Sequence, residues 1–239
     1  MKRSLSIVAF ALCLVATAGI SALHENVGPS TEDKTIAIDS PSGKFSLVQG
    51  PAHSLKGCDE QGGWPCFQTT VRFADKSKPE QVLPEVGLEK QASYQAGAGY
   101  SISPDEQRFI RDQHLFAGCN ILVLYKIEPD GHVRVEQRDL VDLALKCVVS
   151  DLRRAKKRWS KLSSKEFFHW SGEDVEWDPA SDGFRFKLFA RPDPPSPSIH
   201  DTVVHYDLKT HKMTHENISL YDSRTGDDTE TLSIGAVQH

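Results

Sequence analysis

The sequence lacks the short motifs by which many enzymes and metal proteins are recognised. Its 239 residues include five cysteines, but they contain no Cys-x-x-Cys, Gly-x-Ser-x-Gly or His-Glu-x-x-His phrase. These absences remove the usual sequence signs of a zinc ribbon, a nucleophile elbow and a zinc protease. The net charge is −5 and no basic stripe is present, so we expect no nucleic-acid partner.

Long apolar runs are also scarce, and the one that stands out extends from Leu5 to Ile20. Lys2 and Arg3 precede it and small residues end it, which predicts a secretory signal peptide over residues 1–22. The mature protein is then a single domain over residues 23–239. The run is marginal in length for a membrane helix and no second run follows, so we expect no membrane span after cleavage. We expect a secreted or periplasmic protein.

Export into an oxidising compartment makes disulfide bonds the expected role of the remaining cysteines. Cys58, Cys66, Cys119 and Cys147 follow the signal peptide, and an even count favours two bonds among three possible pairings. We expect Cys58 to pair with Cys66, because the turn-rich segment between them brings its ends together. Cys119 then pairs with Cys147. A zinc site made from the four thiols is the alternative.

A turn phrase containing proline recurs over residues 39–45, 102–109 and 177–184, and each copy ends in a phenylalanine. Each copy predicts a hairpin corner that leads into a half-buried strand. Residues 120–127 are continuously apolar, which is typical of a strand buried on both faces. Alternating patterns predict further strands over residues 132–136, 184–189, 202–208 and 213–216.

One amphipathic helix is predicted over residues 139–159, because apolar residues recur there at three- and four-residue steps after the N-cap Asp139. A second short helical stretch is predicted from Ser163 or Ser164 to an end by Gly172, with Glu166 completing a capping box and residues 167–168 packing inward.

Two segments are predicted to lie outside the regular structure. Residues 191–200 are rich in proline and predict an exposed loop, because proline cannot donate to a sheet. Residues 223–239 are polar and predict a mobile tail, in which residues 231–234 could add an edge strand.

Two stretches resemble blades of WD40-like or TolB-type β-propellers. One is Ser103–Phe109 with the following apolar strand and Tyr125–Gly131, and the other is Tyr206–Met213. The phrases are unevenly spaced, a helix is inserted and no Trp-Asp signature occurs. The resemblance implies a meander of hairpins with a binding face. The fold we expect is mainly β, an antiparallel hairpin meander that is propeller-like or an incomplete propeller, with one inserted helix.

Metal-binding patterns are present but poorly spaced. His200, His205, His211 and His215 lie within sixteen residues, yet the strand-turn-strand pattern there separates them, so we expect no metal site and no cofactor. Acidic turns around residues 178–182 and 222–230 offer calcium ligands without the spacing of an EF-hand.

Aromatic residues provide the best candidate for a binding surface. Trp64 has Phe67 beside it, and Tyr94 and Tyr100 lie in a nearby glycine-rich stretch, so the four could stack on a sugar, peptide or protein. The competing interpretation is that Trp64 covers the local core. We expect a non-enzymatic binding protein for a protein or glycan partner. The alternative is a hydrolase of envelope or extracellular polymers, whose carboxylates only the fold brings together.

Overall fold

Alternating apolar patterns and turn phrases form fourteen strands and one α-helix in the part of the chain that the structure describes. The structure is a computed structural model that describes residues 35–51, 67–83, 98–116, 118–155, 161–192, 198–222 and 227–232. All of these residues belong to one compact unit, Thr31–His239. The expectation of a mainly-β meander with an inserted helix is confirmed.

The strands of the first half of the chain are β1 (Ile36–Asp39), β2 (Phe45–Pro51), β3 (Phe67–Phe73), β4 (Gln81–Val82), β5 (Gly99–Ile102), β6 (Arg108–Phe116), β7 (Cys119–Ile127) and β8 (Val133–Gln137). Helix α1 (Leu140–Ala155) and a 3-10 turn (Ser164–Glu166) follow. The later strands are β9 (Phe167–Trp177), β10 (Gly183–Pro192), β11 (Ser198–Asp207), β12 (Lys212–His215), β13 (Ile218–Asp222) and β14 (Asp227–Leu232).

The strands form two sheets. β1 to β4 make a four-stranded antiparallel sheet in chain order, and the other ten strands make a second sheet. The main path of the second sheet is β14-β13-β11-β10-β9-β7-β6-β5, with β8 paired to β7 and β12 paired to β11.

A four-strand unit is repeated within the ten-stranded sheet. β5 to β8 form an antiparallel meander, and β9 to β12 form another with the same order of pairing. β9 joins the first unit through a parallel pairing of Trp170 with Cys119 on β7. β13 joins the second unit through Ser198 and Ile199 on β11. The two units therefore share one sheet.

β7 contributes to two hydrophobic cores, as its continuous apolar sequence predicted. Leu122 and Leu124 belong to the core beneath helix α1. Ile121, Val123 and Tyr125 belong to the core that includes the four-stranded sheet. Because successive side chains of a strand point to opposite faces, all residues from Cys119 to Tyr125 are buried, whereas Lys126 and Ile127 are half-buried.

Helix α1 packs its apolar stripe on the ten-stranded sheet. Asp139 caps the helix as predicted, since its Oδ1 accepts a hydrogen bond of 2.9 Å from the backbone nitrogen of Asp142. The described part of the helix ends at Ala155, and residues 156–160 lie outside the described residues. No helix among the described segments is both long enough and apolar enough to cross a bilayer.

The second predicted helix is much shorter than expected. Ser163 and Glu166 form the predicted capping box, but only the 3-10 turn follows and β9 begins at Phe167. Phe167 is buried whereas Phe168 is exposed, which is the alternation of a strand. Pairing with β10 therefore determines the structure of this segment.

Both segments that were predicted to be irregular contain residues of β-strands. Arg191 and Pro192 end β10 and residues 198–200 begin β11, so only residues 193–197 remain for the loop, and these lie outside the described residues. Residues 227–232, predicted to be mobile, form β14 along β13. An edge strand is held by its backbone hydrogen bonds, so a polar sequence suffices there.

Candidate functional site

Four turns lie side by side at one end of the sheets, and we call them the turn row. They comprise residues 40–45 between β1 and β2, 103–108 between β5 and β6, 178–183 between β9 and β10, and 207–212 between β11 and β12. The first three are the copies of the recurrent sequence phrase, so the repeat in the sequence corresponds to repeated positions in the fold.

The three copies make the same turn. In each turn, the backbone N–H of the first residue donates to the carbonyl of the sixth. The backbone N–H of the fourth residue donates to the carbonyl of the first. The fourth residue has a positive φ in every case, at Gly43 (71°), Glu106 (57°) and Ser181 (55°). Glycine adopts this conformation freely, so Glu106 and Ser181 hold it against a steric preference. In this conformation the side chains of Glu106 and Ser181 form hydrogen bonds to neighbouring turns, which stabilises it.

Glu106 links the first turn to the second. Its carboxylate accepts hydrogen bonds from both the backbone nitrogen and the hydroxyl of Ser42, and Lys44 Nζ lies 3.3 Å away. Burial acts to raise the pKa of Glu106, but the hydrogen bonds from Ser42 and Lys44 outweigh it and lower the pKa. The side chain is 4% exposed, so an ionised carboxylate is buried with its hydrogen bonds satisfied.

The second, third and fourth turns are joined in the same way. Ser181 Oγ accepts a 3.0 Å hydrogen bond from the backbone nitrogen of Asp105. The carbonyl of Asp182 accepts one of 3.0 Å from the backbone nitrogen of Leu208, and its carboxylate lies 3.2 Å from Lys209 Nζ. Side chains and backbone therefore connect all four turns in sequence.

A cleft of about 520 Å³ opens at the third and fourth turns. Three carboxylates line it, from Asp178, Asp182 and Asp207, together with His205 and Lys212. Phe184 and Tyr206 also contribute to its lining, but their side chains have almost no exposure and belong to the core beneath helix α1. The cleft thus presents mainly charged and hydrogen-bonding side chains.

Hydrogen bonds fix the charge state of one rim carboxylate. Thr210 donates both its backbone N–H and its hydroxyl to Asp207, which lowers the pKa of this exposed carboxyl group, and Lys209 N–H also donates to it. Asp207 is therefore ionised at neutral pH. His205 lies opposite Glu216, with its Nε2 3.0 Å from Oε1.

Gly183 is required for the shape of the cleft. A Cβ atom at this position would lie 2.6 Å from Asp178 Oδ2 and 2.9 Å from the carbonyl oxygen of Tyr206. Both distances are shorter than van der Waals contact, so any other residue would displace the Asp178 carboxylate or the β11 backbone.

The predicted aromatic surface is only partly within the described residues. Trp64 and Tyr94 lie outside them. Phe67 is half-buried on β3, and Tyr100 packs against Phe109 in the core with its hydroxyl bonded to Thr69 Oγ1. Tyr100 thereby joins the two sheets, and a stacking role for the four residues stays a prediction.

The structure does not contain the expected bond between Cys119 and Cys147, which are free thiols. Cys119 is buried on β7 and donates to the carbonyl of Phe168, at 3.3 Å. Cys147 lies on α1 and faces the carbonyl of Met213, at 3.6 Å. The two thiols thus bond to different strands. Cys58 and Cys66 lie outside the described residues, so their pairing stays a prediction.

The four clustered histidines do not converge on a common point. Their partners are Asp201 for His200, Glu216 for His205, Tyr206 for His211 and Asp151 for His215. The acidic turn at residues 178–182, which lacked the spacing of a calcium loop, makes turn contacts through Ser181 with Asp105 and Asp182 with Lys209. Side chains of the second acidic group, over residues 222–230, lie outside the described part of the chain.

No protein-family model matches the sequence, and no curated protein matches it. Two solved structures resemble the fold, and both proteins carry the name putative 6-phosphogluconolactonase. The protein from Bacteroides fragilis NCTC 9343 is 12% identical with a TM-score of 0.37, and the match spans 77% of this chain and 38% of that protein's chain. The protein from Bacteroides uniformis ATCC 8492 is 12% identical with a TM-score of 0.30, and the match spans 83% of this chain and 54% of that protein's chain. Neither likeness assigns an activity to this chain.

The resemblance to WD40-like or TolB-type propellers is wrong as an assignment of family. The solved structures that resemble the chain carry a different name. In addition, β5 to β14 form one ten-stranded sheet, whereas propeller blades are separate four-stranded sheets. Short turn phrases led to this error, because a hairpin corner has the same sequence requirements in any antiparallel meander.

Proposed function

We propose that this chain is an exported, secreted or periplasmic binding protein whose ligand is a glycan held in the cleft of the turn row. The observation that carries the proposal is the grouping of Asp178, Asp182 and Asp207 around one cleft. The leader over residues 1–22 supports the extracellular part of the proposal.

The chemistry of the cleft suits a ligand with many hydroxyl groups. Ionised carboxylates accept hydrogen bonds from hydroxyls, while Lys212 donates them. The excess of carboxylates disfavours an anionic ligand.

The test is binding of the purified mature chain to an oligosaccharide array, followed by calorimetry with any oligosaccharide retained. We expect the double variant Asp178→Asn with Asp182→Asn to lose most of the binding. Glu80→Gln is the matched control, since it removes an exposed carboxylate that pairs with Arg72 on the other sheet. Equal binding by the double variant and the control would contradict the proposal, and so would retention of no oligosaccharide.

Hydrolysis is the second candidate function, and the same carboxylates favour it. A carboxylate-dependent hydrolase needs two acidic groups brought to one cleft by the fold, with one acting as acid or base. The names of the two similar structures fit this candidate better than simple binding, although the proposal rests on the cleft alone. Release of reducing ends from a retained oligosaccharide, absent in the double variant, would establish hydrolysis. Binding without release would exclude it for that ligand.

Export has its own test. Expression with residues 1–22 in place, followed by intact mass of the protein recovered outside the cytoplasm, should show a chain that begins close to Leu23. Recovery of the whole chain from the cytoplasm, with Met1 retained, would contradict export without affecting the assignment of the cleft.

A further inference from the structure

Three ligand-type side chains meet where helix α1 packs on β12, away from the cleft. Cys147 and Asp151 lie one helical turn apart on α1, and His215 ends β12. The Sγ atom, a carboxylate oxygen and a ring nitrogen of the three residues all lie within 4.8 Å of one another. The side chains of Asp151 and His215 are each 2% exposed, whereas Cys147 is half-buried.

Hydrogen bonds orient the His215 ring toward the group. Its Nδ1 lies 2.6 Å from the carbonyl oxygen of Glu216, and because a carbonyl only accepts, Nδ1 carries hydrogen. Its Nε2 lies 2.9 Å from Asp151 Oδ2. A ring held through Nδ1 on a backbone carbonyl, with Nε2 pointing inward, is the usual setting of a metal-binding histidine.

The carboxylate is oriented in a similar way. Asp151 Oδ1 accepts from the guanidinium of Arg154, and Oδ2 is the oxygen that lies against His215. An outer hydrogen bond of this kind orients a ligating carboxylate. The imidazole and the carboxylate are therefore each held by a hydrogen bond from outside the group.

We propose that Cys147, Asp151 and His215 bind a divalent transition-metal ion, with Zn²⁺ the ion that suits them best. A thiolate, an imidazole nitrogen and a carboxylate oxygen form a donor set typical of zinc. Zinc bonds of about 2.0–2.3 Å in a tetrahedron place the donor atoms roughly 3.3–3.7 Å apart. The ion thus needs a small opening of the 2.9 Å contact between His215 and Asp151 and a suitable position of Cys147 Sγ, which now lies within 4.8 Å of both ligand atoms.

Binding exchanges protons for the metal. Nε2 must present a lone pair and Cys147 must become a thiolate, so the proton shared between His215 and Asp151 and the thiol proton both leave to solvent. Since Cys147 is half-buried, the fourth coordination position faces the partly open side of the group and suits a water molecule or a small ligand. This site is independent of the function proposed for the cleft.

Titration of the purified full-length chain with Co²⁺ tests the proposal directly. We expect one equivalent to bind, to give the thiolate-to-cobalt absorption and strong d–d bands of a tetrahedral ion, and to be displaced by Zn²⁺. Cys147→Ser should lose the thiolate band, whereas the matched control Cys119→Ser should keep it, because Cys119 bonds to Phe168 in another part of the sheet. A band that survives in Cys147→Ser, or no binding at all, would overturn the site.

A second measurement needs no variant and covers the case in which Cys147→Ser does not fold. The wild-type chain is treated with iodoacetamide at high pH with and without Zn²⁺, and the labelled peptides are quantified. We expect Zn²⁺ to slow the labelling of Cys147 at least tenfold and to leave the labelling of Cys119 unchanged. Equal labelling of Cys147 with and without the metal would overturn the proposal.

Discussion

Glu106, in the turn between β5 and β6, accepts two hydrogen bonds from Ser42, in the turn between β1 and β2. This contact joins the ten-stranded sheet to the four-stranded sheet. Among the described residues, no strand of one sheet pairs with a strand of the other. Glu106 adopts a positive φ of 57° to make it. One of the contacts that position one sheet on the other therefore depends on a local conformation that a glutamate rarely adopts.

Glu106→Gln should destabilise the chain, because a neutral amide replaces an ionised acceptor that has almost no exposure. Hydrogen bonds to charged groups contribute about 1.5–3 kcal/mol, so we expect a loss of about 2 kcal/mol at neutral pH. Urea unfolding measures it. Glu80→Gln, at an exposed ion pair, should change the free energy of unfolding by less than about 0.5 kcal/mol. Equal losses of unfolding free energy in both variants would show that the hydrogen bonds from Ser42 to Glu106 do not stabilise the fold.

The same residue predicts an acid dependence of stability. The fold lowers the pKa of Glu106 from its ordinary value of 4.5, so the folded state favours the ionised form. Its contribution is complete above pH 4.5 and is lost as the pH falls through the folded pKa. The difference in unfolding free energy between the wild type and Glu106→Gln should therefore shrink on acidification. A difference that grows would reverse the sign of the assigned shift.

Asn120→Ala should open the junction between β7 and β9. The Asn120 side chain accepts from the backbone nitrogen of Gly172 at 2.8 Å and donates to its carbonyl at 2.9 Å and to Asp112 at 2.7 Å. Its loss leaves buried backbone groups unpaired, at about 1–3 kcal/mol each, and we expect a loss of about 3 kcal/mol in urea unfolding.

Asn217→Ala is the matched control for Asn120→Ala, because Asn217 is exposed. It should change stability by less than about 0.5 kcal/mol. Hydrogen exchange adds a local readout, with faster exchange expected at Gly172 in Asn120→Ala alone. Unchanged exchange there would exclude the bridging role.

Gly183→Ala should distort the cleft, since the new Cβ would overlap Asp178 Oδ2 and the backbone of Tyr206. Overpacking of this kind costs about 1–3 kcal/mol. Gly99→Ala is the control, because a Cβ there meets only Asp112 Cβ at an ordinary 3.6 Å. Thermal unfolding of the two variants measures the contrast. A Gly183→Ala variant as stable as Gly99→Ala would mean that the Asp178 carboxylate and the β11 backbone both move without cost.

Thiol labelling distinguishes the structure from the disulfide expected on sequence grounds. Desolvation first, and then the charge of Asp151, raise the pKa of Cys147 to about 11, so the thiol is protonated at neutral pH. The rate of alkylation of metal-free Cys147 should be low at pH 7 and rise about tenfold for each pH unit up to pH 10. Mass spectrometry of the labelled peptides measures it. A chain with no label at Cys119 or Cys147, even after unfolding without reductant, would restore their disulfide.

The patterns that the sequence predicted correctly are local ones. The N-cap Asp139, the capping box at Ser163 and Glu166, and the apolar run of β7 each depend on neighbours within a few residues along the chain. The length of the helix after Ser163 was predicted wrongly, because pairing with β10 converts that segment into β9. Local propensity is weaker than a ladder of long-range hydrogen bonds.

The sequence by itself determined the turns, most of the strands, the amphipathic helix and the mainly-β class, because turn chemistry and hydrophobic period act over short distances. Only the tertiary structure decided which turns adjoin, which carboxylates share the cleft, and that Cys147 faces Asp151 and His215 instead of Cys119. These contacts join residues far apart in the chain. Their positions follow from sheet order and register, which depend on packing of the whole molecule and leave no periodic signal in the sequence.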